Sequence, residues 1–419
     1  MNETDISRAM KESAAGIATD TTMPAATLRR ARRGRSRTLV ASLASVALIA
    51  TGSVAALRTG PLPSRPPVTT ATSCHDIREI GTIGRDTSAI SIAAATKDGA
   101  VFTGVSPQYY TATVNARPRA GRIDAAGTIS WFEFDHPEDG FQTRTAEHLV
   151  AVSDDEAWFI VDAGGRYVGE SALWRVDGAA VTRPAIIGPI RSVAMERIVA
   201  RGGRVWAAGT GSSGLFVARW DGERWTQLPG QIPDFQGFKT LTVDRGGTPY
   251  LQVTVTDWAR MPKPATPGGA VPSILFTKDA LYRHDGTGWV EIGMPDGKVS
   301  TVEGGSAGEL WAAVYSPGLN VWRYAAGRWA KAVSADDQGA ASVRLSSDDE
   351  GRLFIAEFIT AAKGDIGESR LWVVAGDELT RVPLPDRATA TMITGLAATD
   401  DGAVWFAAGA TVYRATCGG

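Results

Sequence analysis

Cysteine and histidine are scarce in this chain: among 419 residues there are 2 of the first and 4 of the second. The histidines, His75, His136, His148 and His284, show no H-E-x-x-H or comparable spacing, so no zinc site is expected. Neither sign of charge dominates, with 43 Lys and Arg against 45 Asp and Glu and a net charge of −2. A globular part with that balance has no electrostatic footprint for nucleic acid. Long apolar runs are also rare. The one that stands out, Thr38 to Leu57, reads TLVASLASVALIATGSVAAL without a charge. As a helix it spans about 30 Å, the thickness of a bilayer core.

Six arginines, Arg29, Arg30, Arg32, Arg33, Arg35 and Arg37, precede that run, and only Arg58 follows closely. The positive-inside rule therefore places residues 1–37 in the cytoplasm, makes 38–57 a single transmembrane helix and sends the remainder outside. A cleaved leader is the rival, because Ser53-Val54-Ala55 is a tolerable small-residue cleavage site. The long lead before the apolar run favours the anchor. Residues 1–37 read as a disordered tail, with docking of a cytoplasmic regulator as the alternative. Residues 58–73 carry Pro61, Pro63, Pro66 and Pro67 and read as an extended spacer.

From residue 74 to 419 one phrase recurs seven times: a small-residue run, an Asp/Gly turn, a strand centred on an aromatic, a loop, and a strand ending in a second turn. The aromatics Phe102, Trp158, Trp206, Tyr250, Trp311, Phe354 and Trp405 lie about 50 residues apart, a period that means propeller blades of four short strands. The inner strands are the small runs, such as SIAAAT from Ser91 and TGLAAT from Thr394. The expected fold is all-β: a seven-bladed β-propeller preceded by one transmembrane helix. The last repeat breaks off at VYRATCGG, so the fourth strand of its blade is expected from the start of the domain, where Ile77 to Ile80 resembles it. Cys74 and Cys417 then flank one interrupted hairpin and are expected to form a disulfide, which implies an oxidising compartment.

In a four-stranded meander the turns joining strands one to two and three to four lie at one end, and the remaining connections at the other. Those remaining connections are long here, and loops on a rigid scaffold are where binding residues concentrate. The candidate ligand residues are Tyr109 and Tyr110 (loop 106–119), Arg166 and Tyr167 (162–170), Trp258 and Arg260 (257–273), and Lys363 and Asp365 (357–368). Trp258 does not fit the repeat, which marks it for ligand contact.

The Asp401-Gly402-x-x-Trp405 turn and strand, with the Leu281-Tyr282-Arg283-x-Asp285-Gly286 hairpin, resembles the two-component-regulator type of propeller repeat of bacterial extracytoplasmic sensors. Ser347, Asp349, Gly351 and Phe354 are spaced similarly to the Asp-box of sialidase-like propellers. Both are folding signatures and carry over no catalytic residue. Two other motifs fail on context. Gly209, Gly211 and Gly214 match a dinucleotide fingerprint but lead into another strand, where the phosphate site needs a helix N-terminus. Ser306, between Gly304 and Gly308, has no histidine downstream to complete a hydrolase triad. The acidic stretch Asp135 to Gly140 could hold calcium but reads better as a solvated connection.

No cofactor and no metal is expected. The reading that follows is a membrane-anchored extracytoplasmic propeller that binds a cell-wall glycan or a protein, in the manner of a sensor. The alternative is an extracytoplasmic propeller enzyme such as a glycosidase or polysaccharide lyase. Enzymes of that kind need titratable groups near the axis, and the inner strands offer few, with Arg201, Asp244 and Glu303 the main ones at their ends.

Overall fold

The computed structural model describes residues 74–418 apart from 85–88, 106–118, 133–148, 163–170, 179, 183–193, 212–213, 261–275, 316–317, 336–339 and 361–366. The chain divides into two units, Met1–Pro61 and Leu62–Gly419. The first, with the candidate span Thr38 to Leu57, lies outside the described residues. Among the described residues no helix is long and apolar enough to cross a membrane.

Among the described residues the second unit has 28 strands. The first, β1 (Cys74–Thr82), is set apart from its neighbours in sequence. Blade 1 follows as β2 (Ala89–Ala93), β3 (Gly99–Val105), β4 (Arg119–Asp124) and β5 (Ile129–Trp131). Blade 2 is β6 (Leu149–Ala151), β7 (Glu156–Asp162), β8 (Ser171–Asp177) and β9 (Ala180–Thr182), and blade 3 is β10 (Ala194–Arg201), β11 (Arg204–Gly211), β12 (Gly214–Trp220) and β13 (Trp225–Gln227). Blade 4 comprises β14 (Phe235–Val243), β15 (Pro249–Thr256), β16 (Thr277–His284) and β17 (Trp289–Ile292). In blade 5 are β18 (Lys298–Gly304), β19 (Leu310–Tyr315), β20 (Leu319–Ala325) and β21 (Arg328–Ala335), and in blade 6 β22 (Ala340–Ser347), β23 (Leu353–Ile359), β24 (Glu368–Ala375) and β25 (Glu378–Val382). The last blade has only β26 (Ile393–Ala398), β27 (Ala403–Ala408) and β28 (Thr411–Cys417) from the end of the chain.

Each blade is one antiparallel sheet of four strands, and the seventh takes β1 as its outer strand, in the order β1-β28-β27-β26. The first strand of each blade touches the first strands of the blades before and after it, and β2 touches β26, so the circle closes. This is the expected seven-bladed propeller. Cys74 stands opposite Cys417 in the β1·β28 register, and the two form a disulfide across 343 residues of sequence.

The sequence logic of the ring is visible in its packing. The seven repeat aromatics are each 0–2 % exposed. Seven hydrophobic clusters fill the seven spaces between neighbouring blades; one joins Trp158 of blade 2 to Val205 and Trp225 of blade 3, and another joins Trp405 of blade 7 to Phe102 of blade 1. Fully burying one such side chain contributes about 2–3 kcal/mol, so the ring is held by its interfaces rather than by a single core. Near the axis the chain must be small: a Cβ at Gly304 would lie 2.0 Å from the Val243 carbonyl oxygen. The turn between β20 and β21 has two residues, Ala326 and Gly327, with φ of 52° and 82°. That is the mirror-type turn that matches strand twist, with alanine in a place that favours glycine or asparagine.

The motifs set aside on context fall as expected. Gly211 ends β11 and Gly214 opens β12, strand to strand, and Ser306 sits in the turn between β18 and β19. The stretch Asp135 to Gly140 lies outside the described residues. Within the fourth loop, residues 357–359 still belong to β23, and Glu357 is 1 % exposed, so that loop starts later than the sequence suggests.

Candidate functional site

Of the eight candidate ligand residues, Trp258 and Arg260 are described; Tyr109, Tyr110, Arg166, Tyr167, Lys363 and Asp365 lie outside the described residues. Trp258 and Arg260 come together at the base of the long connection between β15 and β16. Asp257 accepts a backbone bond from Arg260, which makes a turn there. Trp258 is 58 % exposed, yet its indole Nε1 donates to Asp234 Oδ2 at 2.7 Å. Asp234 itself has φ of 57°, and its carbonyl accepts from the Thr256 N–H at 3.0 Å. The Arg260 guanidinium lies 5.4 Å from the centre of the Phe276 ring. An indole with its face in water and its edge pinned is a preformed contact surface, because little rotamer freedom is left to lose on binding.

The second set of groups converges at the opposite end of the ring, where the first strands run out toward the axis. Arg201 at the end of β10 reaches across the ring to blade 6, donating to the Ser347 carbonyl and hydroxyl at 3.2 Å each and standing 3.8 Å from Asp349. Arg245, just past β14, donates to the Asp348 carbonyl and pairs with Asp349 at 2.8 Å. Glu303 of β18 accepts from Ser347 Oγ at 3.4 Å and Thr242 Oγ1 at 3.5 Å. Two blades thus send cations over the axis to a third.

Burial shifts the acids of this cluster. Desolvation by the surrounding protein outweighs Arg201 and the two hydroxyls and pushes the Glu303 carboxyl up to about 7. Asp400, past the end of β26, is pushed up to about 6 by desolvation and by a proton-sharing contact with Asp349. Groups titrating near neutrality are equipped to give or take a proton. Among the described residues no group of three acidic, histidine or cysteine side chains is arranged to hold a metal ion.

Sequence reasoning singled out Arg201, Asp244 and Glu303 as axial groups. The structure keeps Arg201 and Glu303 on the axis and corrects Asp244. That side chain is fully buried between blades 4 and 5, where its carboxylate accepts from Tyr250 Oη at 3.0 Å, the Gly308 N–H at 2.8 Å and the Thr248 N–H at 2.9 Å. Burial and Asp244 together raise the Tyr250 phenol above its ordinary range. The chain turns at Asp244, so the next residue, Arg245, is the one that points to the axis. Arg245 and Asp400 were missed because each stands in a turn, outside the strand pattern. Asp349, the acid of the Asp-box spacing, was legible only as a folding signature.

No family model matches the chain, and no curated protein does. Solved structures do. A streptogramin B lyase structure aligns over 82 % of this chain and 98 % of its own with a TM-score of 0.52 and 14 % identity. The likeness is one of fold alone. YCF48 bound to D1 peptide aligns over 84 % of this chain and 99 % of its own, with a TM-score of 0.49 and 11 % identity. A gluconolactonase from Xanthomonas campestris aligns over 62 % and 82 %, with a TM-score of 0.35 and 13 % identity. A shared fold does not by itself choose a function.

Proposed function

We propose that this chain is a single-pass membrane protein, N-terminus inside, whose propeller lies outside the cytoplasm and binds a ligand or partner at its long-loop end. The observation that carries the binding is Trp258, an exposed indole fixed by Asp234 beside Arg260. The disulfide of Cys74 and Cys417 supports the oxidising side of the membrane, and the arginines ahead of Thr38 support the orientation. A cell-wall glycan or a protein fits an aromatic with a neighbouring cation. A sensor role would pass through residues 1–37 to a cytoplasmic regulator.

Two experiments test this. A reporter fused after Gly419 is expected to be active only outside the cytoplasm, and cytoplasmic activity would overturn the placement. Binding to a panel of cell-wall glycans and envelope proteins is expected to be lost in Trp258→Ala and Arg260→Ala with the melting transition nearly unmoved; undiminished binding moves the site elsewhere. The raised acids Glu303 and Asp400 favour one other reading, a glycosidase or polysaccharide lyase acting at the axis. Turnover of glycans by the wild type that is lost in Glu303→Gln would establish it in place of the binding module.

A further inference from the structure

The repeat has its own rule for one arginine, and two blades break it. On the third strand of blades 2, 5 and 7, opposite the aromatic of the second strand, stand Arg175, Arg323 and Arg414. Each lies over that aromatic, 5.7–5.9 Å from the ring centre. Each also has an acceptor. Arg175 pairs with Glu156 at 2.8 Å, Arg323 pairs with Glu309, and Arg414 donates to the Lys97 carbonyl at 2.9 Å. Glu156 and Glu309 occupy the same repeat position, two residues ahead of Trp158 and Trp311.

Blades 3 and 4 keep the arginine and lose the acid. Arg219 is opposite Trp206 and Arg283 opposite Tyr250, in the same register. Two residues ahead of those aromatics stand Arg204 and Thr248 instead of glutamate. The Nε of Arg219 and the Nε of Arg283 are each buried without a hydrogen-bond partner, and neither arginine has a salt bridge among the described residues. The Nε of Arg323 is likewise unpaired, but that guanidinium holds Glu309 through Nη2; Arg219 and Arg283 hold no acid, and two unpaired buried donors at one place are an unmet demand for an acceptor.

Both arginines line one cavity of about 530 Å³ at the tight-turn end of blade 4, with Gly247, His284 and Gly308 among its other walls. A third guanidinium stands beside it, for Arg204 Nη1 lies 3.7 Å from the place a Cβ on Gly247 would take. The acids nearby are engaged. Asp285 Oδ1 accepts from the Thr287 and Gly288 N–H groups and the Thr287 hydroxyl, and Asp244 from Tyr250 and Gly308. His284 accepts the Gly286 N–H on Nδ1, so its Nε2 faces the Pro229 carbonyl as a donor. The volume suits a small ligand. We propose that this cavity binds an oxyanion, the carboxylate, phosphate or sulfate group of a small ligand, through the forks of Arg219 and Arg283. The Nε and an Nη of a guanidinium present two parallel N–H groups, the spacing at which such a group accepts. The site lies at the opposite end of the ring from Trp258 and does not depend on the binding proposed there.

The test is calorimetric titration of the full-length chain with inorganic phosphate, sulfate and acetate, each against chloride at constant ionic strength. At least one of the three is expected to bind, and the strongest identifies the class: tetrahedral anion or carboxylate. Arg219→Gln with Arg283→Gln is expected to weaken it more than about tenfold. Thr248→Glu restores the repeat's own acid at blade 4 and leaves both arginines in place; it is expected to displace the anion about tenfold as well, because the new carboxylate takes the fork. No binding by any of the three anions overturns the proposal, as does binding undiminished in the double variant or in Thr248→Glu. Should the double variant fail to fold, Thr248→Glu decides alone.

Discussion

Breaking the disulfide should open the ring at one known place. Cys74 and Cys417 are 7 % and 3 % exposed and close a loop with a sequence separation of 343 residues. On the chain-entropy account, a cross-link of that span lowers the freedom of the unfolded chain by about 6 kcal/mol at 25 °C. An unfolding entropy of about 2 cal/mol/K per residue gives a ring of roughly 350 residues close to 0.7 kcal/mol/K, so the loss corresponds to a melting point lower by about 8 °C. Alanine is the substitution to use at both positions, because serine would bury two hydroxyls and add a desolvation cost of its own. Reduced wild type and Cys74→Ala/Cys417→Ala should melt together.

The local consequence separates the staple from a general loss of stability. In the oxidised chain β1 cannot leave β28. In the reduced chain it is held by its ladder, from His75 opposite Thr416 to Thr82 opposite Thr411, and by Ile77, Ile80 and the buried Ile83. It is also an outer strand with no neighbour beyond it, so it opens first. Hydrogen exchange should accelerate in residues 75–82 and 411–416 while β14 and β15 of blade 4 keep their protection. Melting points that agree within about 2 °C, together with unchanged exchange in those segments, would refute the stapled closure.

Three further outcomes follow from particular side chains. Arg352 is 3 % exposed and pairs with the 1 % exposed Asp348 while donating to the Cys417 carbonyl at 2.9 Å, so Arg352→Met leaves a buried carboxylate without its cation, keeping only the backbone N–H of residue 352, and should cost about 3–5 kcal/mol in a denaturant titration. Ala326 holds a left-handed φ of 52°, and Ala326→Gly should stabilise by about 1 kcal/mol in the same assay. Glu303 binds its proton more tightly folded than unfolded, since its pKa rises from 4.5 to about 7. Its contribution is therefore full below pH 4.5 and is lost as pH climbs through 7, by at most about 3 kcal/mol, and Glu303→Gln should flatten stability against pH across that window.

Much of the architecture was legible because it is written locally and repeated. The turn chemistry of Asp401-Gly402 or Asp285-Gly286 and the burial of Trp405 or Phe102 depend on neighbours within a few residues. The closure was legible because the last repeat ends at Cys417 and Cys74 stands ahead of an orphan strand. The axial cluster was only half legible. Arg201 and Ser347 are 146 residues apart, and nothing in either segment specifies a bond across the ring. Asp244 and Arg245 show the limit most clearly: adjacent residues at the end of one strand point to different places, and the sequence pattern selected the one that turns away. At the loop end, Trp258 could be picked as an outlier from the repeat, but its partner Asp234 lies on the connection before β14 and carries no mark.

The repeat also supplies a standard against which departures can be measured. In a ring of similar blades each position is sampled several times by the same backbone, so what the fold requires appears in most copies. The arginine of the third strand recurs, and where the fold alone decides, an acceptor answers it: Glu156, Glu309 or the Lys97 carbonyl. A blade that keeps the cation and replaces its acid by Thr248, or by the further cation Arg204, forgoes a charge-assisted bond that its neighbours make. Folding stability does not account for that loss, and it occurs twice, in adjacent blades that share one cavity. Local rules broken without a compensating contact are where a structure is expected to serve a ligand instead of itself. Thr248→Glu puts the matter to a direct measurement: if the repeat's acid is restored, the anion-free ring should become more stable by the worth of one partly buried ion pair, while the site loses its anion. A variant that gained no stability would show that Arg283 is already satisfied.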